Sequence, residues 1–299
     1  RNGGESYMTN IDFTNEESVN YILNYSQMLI NEMAKTKTKK KDCYKTEQAI
    51  ILAAMISYYG FENLDTIYKA FEKTYFSDEI IPMESKNKNT LIEAYCSFDI
   101  SRDLNNRYYI DRTINFGVKQ LNESEKVKSL THEINHIVNS IISSICKRNN
   151  SLLFRSGMAL HSLDGMYSES VYFEEAVDES QAIEIFDIIG LFKNFNIKNP
   201  SIAQEIQKIN PNIVRDDYKI LVSSIKPLYM NQEFNYILKN KRLTGELKEI
   251  RKHFDDKVGI PNAFQDLSKE MDNLERNPNY LTKQRVMNKV YQYTKRQIY

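Results

Sequence analysis

The sequence predicts an α+β protein that is predominantly α-helical, with a small N-terminal sheet and a helical C-terminal region. Apolar residues recur at helical spacing over most of the 299 residues. Two stretches, 90–100 and 108–118, are instead rich in β-branched and aromatic residues with partial alternation, which is typical of strands. Beyond the pair Asn199-Pro200 the pattern is helical almost throughout.

Three helices are predicted before the first strand. The first, 15–35, places its apolar side chains on one face and has Thr14 or Asn15 available as an N-cap. The second, 46–59, is strongly apolar and is ended by a glycine. The third, 64–73, is shorter and amphipathic. These helices make up a predicted N-terminal helical region, 1–89.

The predicted central region, 90–198, combines the two strands with the strongest helices. A helix over 122–147 opens with the residues NESE, which offer an N-cap and early acidic residues. A further strand is predicted at 152–160 and a strong helix at 172–192. The third region, 199–299, contains only helical patterns, predicted at 200–209, 216–225, 233–238, 243–254, 262–274 and 282–299.

The overall charge argues against a dedicated nucleic-acid-binding protein. Lys+Arg and Asp+Glu are equal at 40 each, so the net charge is zero, whereas such a protein should carry a basic excess. The basic run 35–41 (KTKTKKK) is interpreted as a solvated helix end or loop.

No stretch reaches the ~18 consecutive apolar residues that predict a membrane span. The abundance of Asn, Lys, Ile and Tyr without Trp is typical of AT-rich bacterial genomes.

The cysteines give little information on where the protein works. The three of them, Cys43, Cys96 and Cys146, are far apart and form no CxxC pair. Such a sparse, odd set is typical of a reducing compartment, which slightly favours the cytoplasm. The first residues, RNGGESY, precede Met8 and are expected to be foreign to the native N-terminus, so the sequence leaves the localisation unknown and secretion open.

Two of the four histidines lie in residues 130–138 (LTHEINHIV). On a helix, His132 and His136 share one face and can both direct a ring nitrogen at one ion. Glu133 is rotated by about 100° from His132 and can reach a water on that ion. Zinc acidifies such a water, and a neighbouring carboxylate can take its proton as general base. The spacing therefore predicts a zinc site with His132 and His136 as ligands and Glu133 as the catalytic residue.

A catalytic zinc site needs a third protein ligand, and a carboxylate is the best candidate. Asn139 and Ile142 stand where the metzincin pattern has Gly and His, and neither His161 nor His253 has a suitable spacing. Residues 173–179 (FEEAVDE) offer two carboxylate pairs on the next strongly predicted helix. These pairs are Glu175 with Glu179 and Glu174 with Asp178, each four residues apart on one face.

These two motifs resemble the gluzincin zinc metallopeptidases, the class that includes thermolysin and anthrax lethal factor. Those enzymes carry HExxH on one helix and a ligand Glu on a later helix, so the resemblance implies a zincin-like catalytic core at 90–198. It implies one zinc ion per chain held by His132, His136 and Glu175, with Glu179 orienting a ligand histidine. The alternative alignment makes Glu174 the ligand, with Asp178 in the supporting place. The implied function is hydrolysis of peptide or protein substrates.

Further roles are open. The donor to the oxyanion of a reacting carbonyl is sought among Arg155, His161, Tyr167 and Tyr172, each of which has an ordinary structural interpretation. The strand at 108–118 could bind extended peptide at a sheet edge, but an ordinary core strand is favoured. The alternative function is a non-catalytic binding or regulatory protein on a metallopeptidase-like scaffold. A protease toxin acting on host protein would share the chemistry and differ in target.

Overall fold

In a computed structural model of the chain, the structure describes residues 15–81, 93–105, 108–117, 121–142, 145–148, 151–162, 167–213 and 218–295. The α-helices are α1 (Glu16–Thr36), α2 (Lys45–Tyr59), α3 (Leu64–Glu72), α4 (Glu123–Val138), α5 (Val171–Phe192), α6 (Pro200–Lys208), α7 (Lys219–Tyr229), α8 (Gln232–Thr244), α9 (Leu247–Val258), α10 (Ala263–Arg276) and α11 (Tyr280–Lys295). The strands are β1 (Thr74–Ile80), β2 (Ala94–Arg102), β3 (Tyr108–Phe116), β4 (Ile145–Arg148), β5 (Ser151–Ser156), β6 (Ala159–Ser162) and β7 (Ser168–Glu169). The predicted class, α+β and predominantly α, is confirmed.

The chain forms two compact units, each built from two separate segments. The first unit consists of Arg1–Val138 and Ala182–Ile213, and the second of Asn139–Gln181 and Val214–Tyr299. The boundary expected near Asn199-Pro200 falls inside the first unit, where Asn199 caps α6 through its side chain. The division into the three consecutive regions 1–89, 90–198 and 199–299 stays a prediction.

A three-stranded sheet lies in the first unit in the order β1-β3-β2. The central strand, β3, pairs in parallel with β1 and antiparallel with β2. The predicted strand at 108–118 is therefore a core strand, and its last residues are buried. The sequence did not predict β1. Its far end is exposed and charged (SDE), and the residues with which it pairs lie more than thirty positions later in the chain.

The basic run at 35–41 lies at the end of α1 and in the connection to α2, as the sequence indicated. Three of its lysines form ion pairs with one aspartate from each strand: Lys41 with Asp78, Lys40 with Asp99 and Lys39 with Asp111. These lysines are largely exposed, so each pair contributes little to stability.

The core of the first unit forms around α2, where an unbroken run from Gln48 to Ile56 is buried. The apolar residues of α4 that face inward are Val127, Leu130, Ile134, Ile137 and Val138. Helix α4 also contacts β2 and β3, so a small sheet does pack on the helix that carries the histidine motif.

The second unit has a four-stranded antiparallel sheet, β4-β5-β6-β7, and the helices from α7 onward. Its core contains a group of aromatic rings packed edge to face and stacked: Phe173, Phe234, Phe254, Phe264 and Tyr293. Phe173 belongs to the first turn of α5, so this core fixes the start of that helix.

Two sequence predictions are corrected in this region. The helix predicted over 122–147 ends at Val138, and residues 145–148 form β4 instead. The single strand predicted at 152–160 is a hairpin of β5 and β6 that turns at Gly157, which has a φ of +53°. Among the helices of the described residues, none combines the length and apolarity that crossing a membrane requires.

Candidate functional site

Helix α4 begins with a reciprocal pair of hydrogen bonds. The backbone N–H of Glu125 donates to Oδ1 of Asn122 at 3.0 Å, and the backbone N–H of Asn122 donates to Oε2 of Glu125 at 2.8 Å. This capping arrangement satisfies N–H groups that the first turn leaves without helical partners. The side chains of Asn122 and Glu125 therefore explain why the helix begins where the sequence predicted.

His132 and His136 meet on the inner side of α4. Their residues are 4% and 8% exposed, and their Nε2 atoms lie 3.2 Å apart. The ring planes are nearly perpendicular, at 85°, with centroids 4.8 Å apart. The predicted pairing of these two side chains on one helix face is therefore observed.

The separation of the two nitrogens suits a shared metal ion. With metal–nitrogen bonds of ~2.0–2.1 Å, a tetrahedral ion separates two ligand nitrogens by roughly 3.3–3.4 Å. The observed 3.2 Å is within about 0.2 Å of that separation. Imidazole nitrogens are ligands that zinc, copper, iron and nickel accept, so the pair by itself leaves the identity of the metal open.

Neighbouring side chains fix the helix turn that carries these histidines. The hydroxyl of Tyr59, at the end of α2, lies 2.7 Å from Oδ1 of Asn135, and both residues are buried. Thr131 donates from its hydroxyl to the carbonyl of Val127 one turn earlier. Because Asn135 lies between the two histidines in sequence, the Tyr59 contact holds this turn against α2.

Glu133 differs from the two histidines in its surroundings. It retains intermediate exposure, so water can reach it. The pKa of the Cys96 thiol on β2 is raised to about 12. Burial of the thiol is the main cause, and the charge of Glu133 adds to it. Cys96 as a whole residue is half-buried. The charge of Glu133 therefore helps to keep the Cys96 thiol protonated and unreactive.

The carboxylates of α5 take part in a buried ionic network. The guanidinium of Arg242, from α8, forms ion pairs with Glu174 and, at 3.0 Å, with Oδ1 of Asp178. It also donates to the side-chain oxygen of Gln181. Glu174 accepts a further hydrogen bond, at 2.7 Å, from the backbone N–H of Met158 in the β5–β6 turn. Arg242, Glu174 and Asp178 are all almost completely buried.

Asp178 is a third buried residue that offers a metal-ligand atom, but it belongs to the second unit, whereas His132 and His136 belong to the first. In the sequence prediction Asp178 belongs to one of the two carboxylate pairs that could supply a ligand, and the alternative alignment gives it the supporting place. Glu175, the expected third ligand, also lies in the second unit. It is half-buried. The pKa of Glu275 on α10 is raised mainly by the burial of Glu275, and the charge of Glu175 adds to this effect. Glu179 is buried. The roles assigned to Glu175 and Glu179 stay predictions.

Arg155, one candidate oxyanion donor, donates to backbone carbonyls. Its guanidinium contacts the carbonyl oxygens of Asn139 at 2.6 Å, Gly157 at 2.7 Å and Ile142. These carbonyls belong to the turn after α4 and to the β5–β6 turn. Arg155 therefore holds the chain that leaves α4, a structural role that the sequence did not reveal.

The other oxyanion candidates occupy ordinary structural positions. His161 lies on β6 opposite Ser168 of β7, and the hydroxyl of Tyr167 donates to Glu169. Tyr172 packs against the aromatic core of the second unit, and burial raises its pKa. His253, which is not one of these candidates, lies on α9 with Nε2 2.9 Å from the hydroxyl of Tyr293.

A second acidic group lies in the first unit. Glu47, Glu123 and Glu205 bring their carboxylates together, and Lys126 and Lys208 form ion pairs with the last two. Burial, followed by the charges of Glu205 and Glu123, raises the pKa of Glu47. The two lysines already offset much of this negative charge, so the group is explained as an ion-paired part of the helix packing.

Comparison with known proteins finds no matching family model, no matching curated protein and no matching solved structure.

Proposed function

We propose that this protein is a zinc-dependent peptidase of the gluzincin type. The observation that carries the proposal is the buried pair of Nε2 atoms of His132 and His136, 3.2 Å apart on one helix. That separation is close to the one a tetrahedral ion needs, and Glu133 follows His132 directly, in the position of a general base. The donor set of two imidazoles and one carboxylate is the set used by catalytic zinc sites that keep a position for water.

In this proposal His132 and His136 bind the metal through Nε2, and a carboxylate of α5 is the third ligand. Glu175 is the ligand that the resemblance of residues 173–179 to the gluzincin ligand helix favours. When bound, zinc supplies an acidified water and a Lewis acid for the carbonyl oxygen of the substrate. Glu133 takes the proton from the attacking water and then donates it to the leaving amine. Its intermediate exposure allows contact with both water and substrate.

Metal binding and cleavage are tested separately. Protein freed of metal with a chelator is titrated with Zn²⁺, and its metal content is measured by mass spectrometry. Cleavage is then followed with a library of internally quenched peptides. We expect about one zinc per chain and chelator-sensitive cleavage. One zinc per chain without cleavage of any peptide would favour the non-catalytic scaffold, and the absence of bound zinc would contradict the metal site.

The variants His136→Ala and His161→Ala provide a matched comparison. Both remove one imidazole, but only His136 belongs to the proposed ligand set. We expect His136→Ala to lose zinc and His161→Ala to retain it. Equal zinc content in the two variants would contradict the assignment of His136.

A further inference from the structure

We propose that Glu47, Glu123 and Glu205 form a binding site for a divalent cation, for which Ca²⁺ is the best candidate. The three residues come from α2, α4 and α6, and all of them lie in the first unit. One carboxylate oxygen from each lies within 4.8 Å of those from the other two. None of the three belongs to the histidine motif, so the inference goes beyond the proposed peptidase function and does not depend on it.

The carboxylate of Glu205 points to a bound ligand. The residue is 8% exposed, and its Oε2 accepts a hydrogen bond from Nζ of Lys208 at 2.8 Å. Its Oε1 is also buried, but within the described ranges it has no hydrogen-bond partner. A buried carboxylate oxygen without a partner costs free energy. A cation bound at this oxygen removes that cost.

The ion pairs of the group neutralise only part of its charge. Lys126 contacts both oxygens of Glu123, and Lys208 contacts one oxygen of Glu205. In the part of the chain that the structure describes, these two ammonium groups face three carboxylates, which leaves one negative charge. The pKa of Glu47 is raised mainly by burial, and the charges of Glu205 and Glu123 add to this effect. A cation would relieve the repulsion that Glu47 experiences.

The donor atoms and their spacing favour calcium. All three donors are carboxylate oxygens, which suit hard cations such as Ca²⁺ and Mg²⁺ better than they suit transition metals. With Ca–O bonds of ~2.3–2.6 Å, oxygens on opposite sides of the ion are roughly 4.6–5.2 Å apart, whereas the value for Mg²⁺ is only about 4.0–4.2 Å. Separations of up to 4.8 Å are therefore within the reach of one calcium ion.

A cation at this position connects three helices. Glu47 lies in the first turn of α2, Glu123 is the first residue of α4, and Glu205 lies in the second half of α6. Helix α4 is the one that carries the two motif histidines. The bound ion would fix the start of α4 against α2 and α6, and it would stabilise the folded state by mass action.

Calcium binding is tested on the whole chain after all metal has been removed with a chelator. Tb³⁺ is the optical probe, because it replaces Ca²⁺ at oxygen sites and emits when a nearby tyrosine is excited. Tyr44 is such a tyrosine, since its ring centroid lies 5.3 Å from Nζ of Lys126. We expect Tb³⁺ emission that Ca²⁺ displaces, and a melting temperature that millimolar Ca²⁺ raises by at least about 2 °C. Emission that Ca²⁺ does not displace, or an unchanged melting temperature, would overturn the proposal.

The variant Glu47→Gln locates the ion. We expect it to bind Ca²⁺ at least about 10-fold more weakly than the wild type, because affinity depends on the number of charged ligands. Without calcium it should melt no lower than the wild type, and with calcium the wild type should melt higher. A general loss of packing cannot produce that reversal. Glu32→Gln, at an exposed residue of α1, is the control and should bind like the wild type. Equal calcium affinity in Glu47→Gln and Glu32→Gln would contradict the site.

The variant Lys208→Met separates a cation site from carboxylates that serve only ion pairs. The side chain of Lys208 is 50% exposed, and its ammonium competes with a cation for Glu205. We expect Lys208→Met to bind Ca²⁺ at least about 3-fold more tightly than the wild type, because a like charge is removed. Unchanged or weaker calcium binding by this variant would show that the carboxylates only form ion pairs, and would overturn the proposal.

Discussion

The hydroxyl of Tyr59, the last residue of α2, lies 2.7 Å from Oδ1 of Asn135, in the turn of α4 between the two motif histidines. Both residues are buried, at 3% and 0% exposure. A buried hydrogen bond of this kind resists rotation of one helix against the other, because an unsatisfied amide oxygen in the core is costly. The fold therefore fixes the orientation of the histidine face through a contact that lies outside the motif.

Removal of this contact tests its contribution to stability. We expect Tyr59→Phe to lower the free energy of unfolding by about 1–2 kcal/mol, because Asn135 loses a buried donor. The melting temperature, measured by circular dichroism, should fall by about 2–4 °C. Tyr21→Phe on α1 is the control, since Tyr21 is 46% exposed and water can replace its partners. Equal effects of the two substitutions would contradict the role of the Tyr59 contact.

The proposed general base is tested by a change that keeps shape and removes charge. We expect Glu133→Gln to bind zinc like the wild type and to cleave peptide at least about 100-fold more slowly, because an amide cannot accept the proton of the attacking water. Glu32→Gln, a change at an exposed residue of α1, should have no effect. Undiminished cleavage by Glu133→Gln would remove Glu133 from the mechanism.

The β5–β6 turn gives a prediction about stability that involves two glycines. A Cβ at Gly157 would lie 1.8 Å from Oε1 of Glu174, whereas a Cβ at Gly245 would lie 3.3 Å from its nearest neighbour, Nη2 of Arg155. Both glycines have positive φ, so alanine costs about 1–2 kcal/mol of backbone strain at either position.

Gly157→Ala must in addition displace Glu174 from Met158 and Arg242. We therefore expect it to lower the free energy of unfolding by at least about 1 kcal/mol more than Gly245→Ala does, in urea titrations followed by circular dichroism. Unfolding of the two variants at the same urea concentration would contradict the close packing of Glu174 against the β5–β6 turn.

The acidic group at Glu47 predicts a stability effect that depends on pH. Its pKa is raised in the folded state, so the ionised carboxylate destabilises the fold at neutral pH, and this penalty disappears as the pH falls through the folded pKa. We expect Glu47→Gln to raise the melting temperature at pH 7–8, on the order of 1–2 °C. The difference should vanish near the ordinary glutamate pKa of ~4.3. An equal gain at both pH values would contradict the electrostatic explanation, and Glu32→Gln controls for the loss of an exposed carboxylate.

Much of this protein follows from the local sequence pattern. The helices α1, α2, α3 and α5 begin and end within about two residues of their predicted limits, because helical spacing and caps are properties of neighbouring residues. The same locality explains why the meeting of His132 and His136 could be foreseen. Two residues four apart on a helix share a face whatever surrounds them.

Contacts between distant parts of the chain decided the rest. The apolar run after Val138 could continue a helix, but Arg155 binds the carbonyls of Asn139 and Ile142, and residues 145–148 pair with β5. Likewise, residues 173–179 (FEEAVDE) offer four carboxylates on one helix. Two of them, Glu174 and Asp178, bind Arg242, which lies more than sixty residues later in the chain. The sequence alone determined the helices and the histidine pair, since both depend on spacing within one element. Only the tertiary structure decided where α4 ends and which carboxylates are held in place, since the residues responsible come from other elements of the fold.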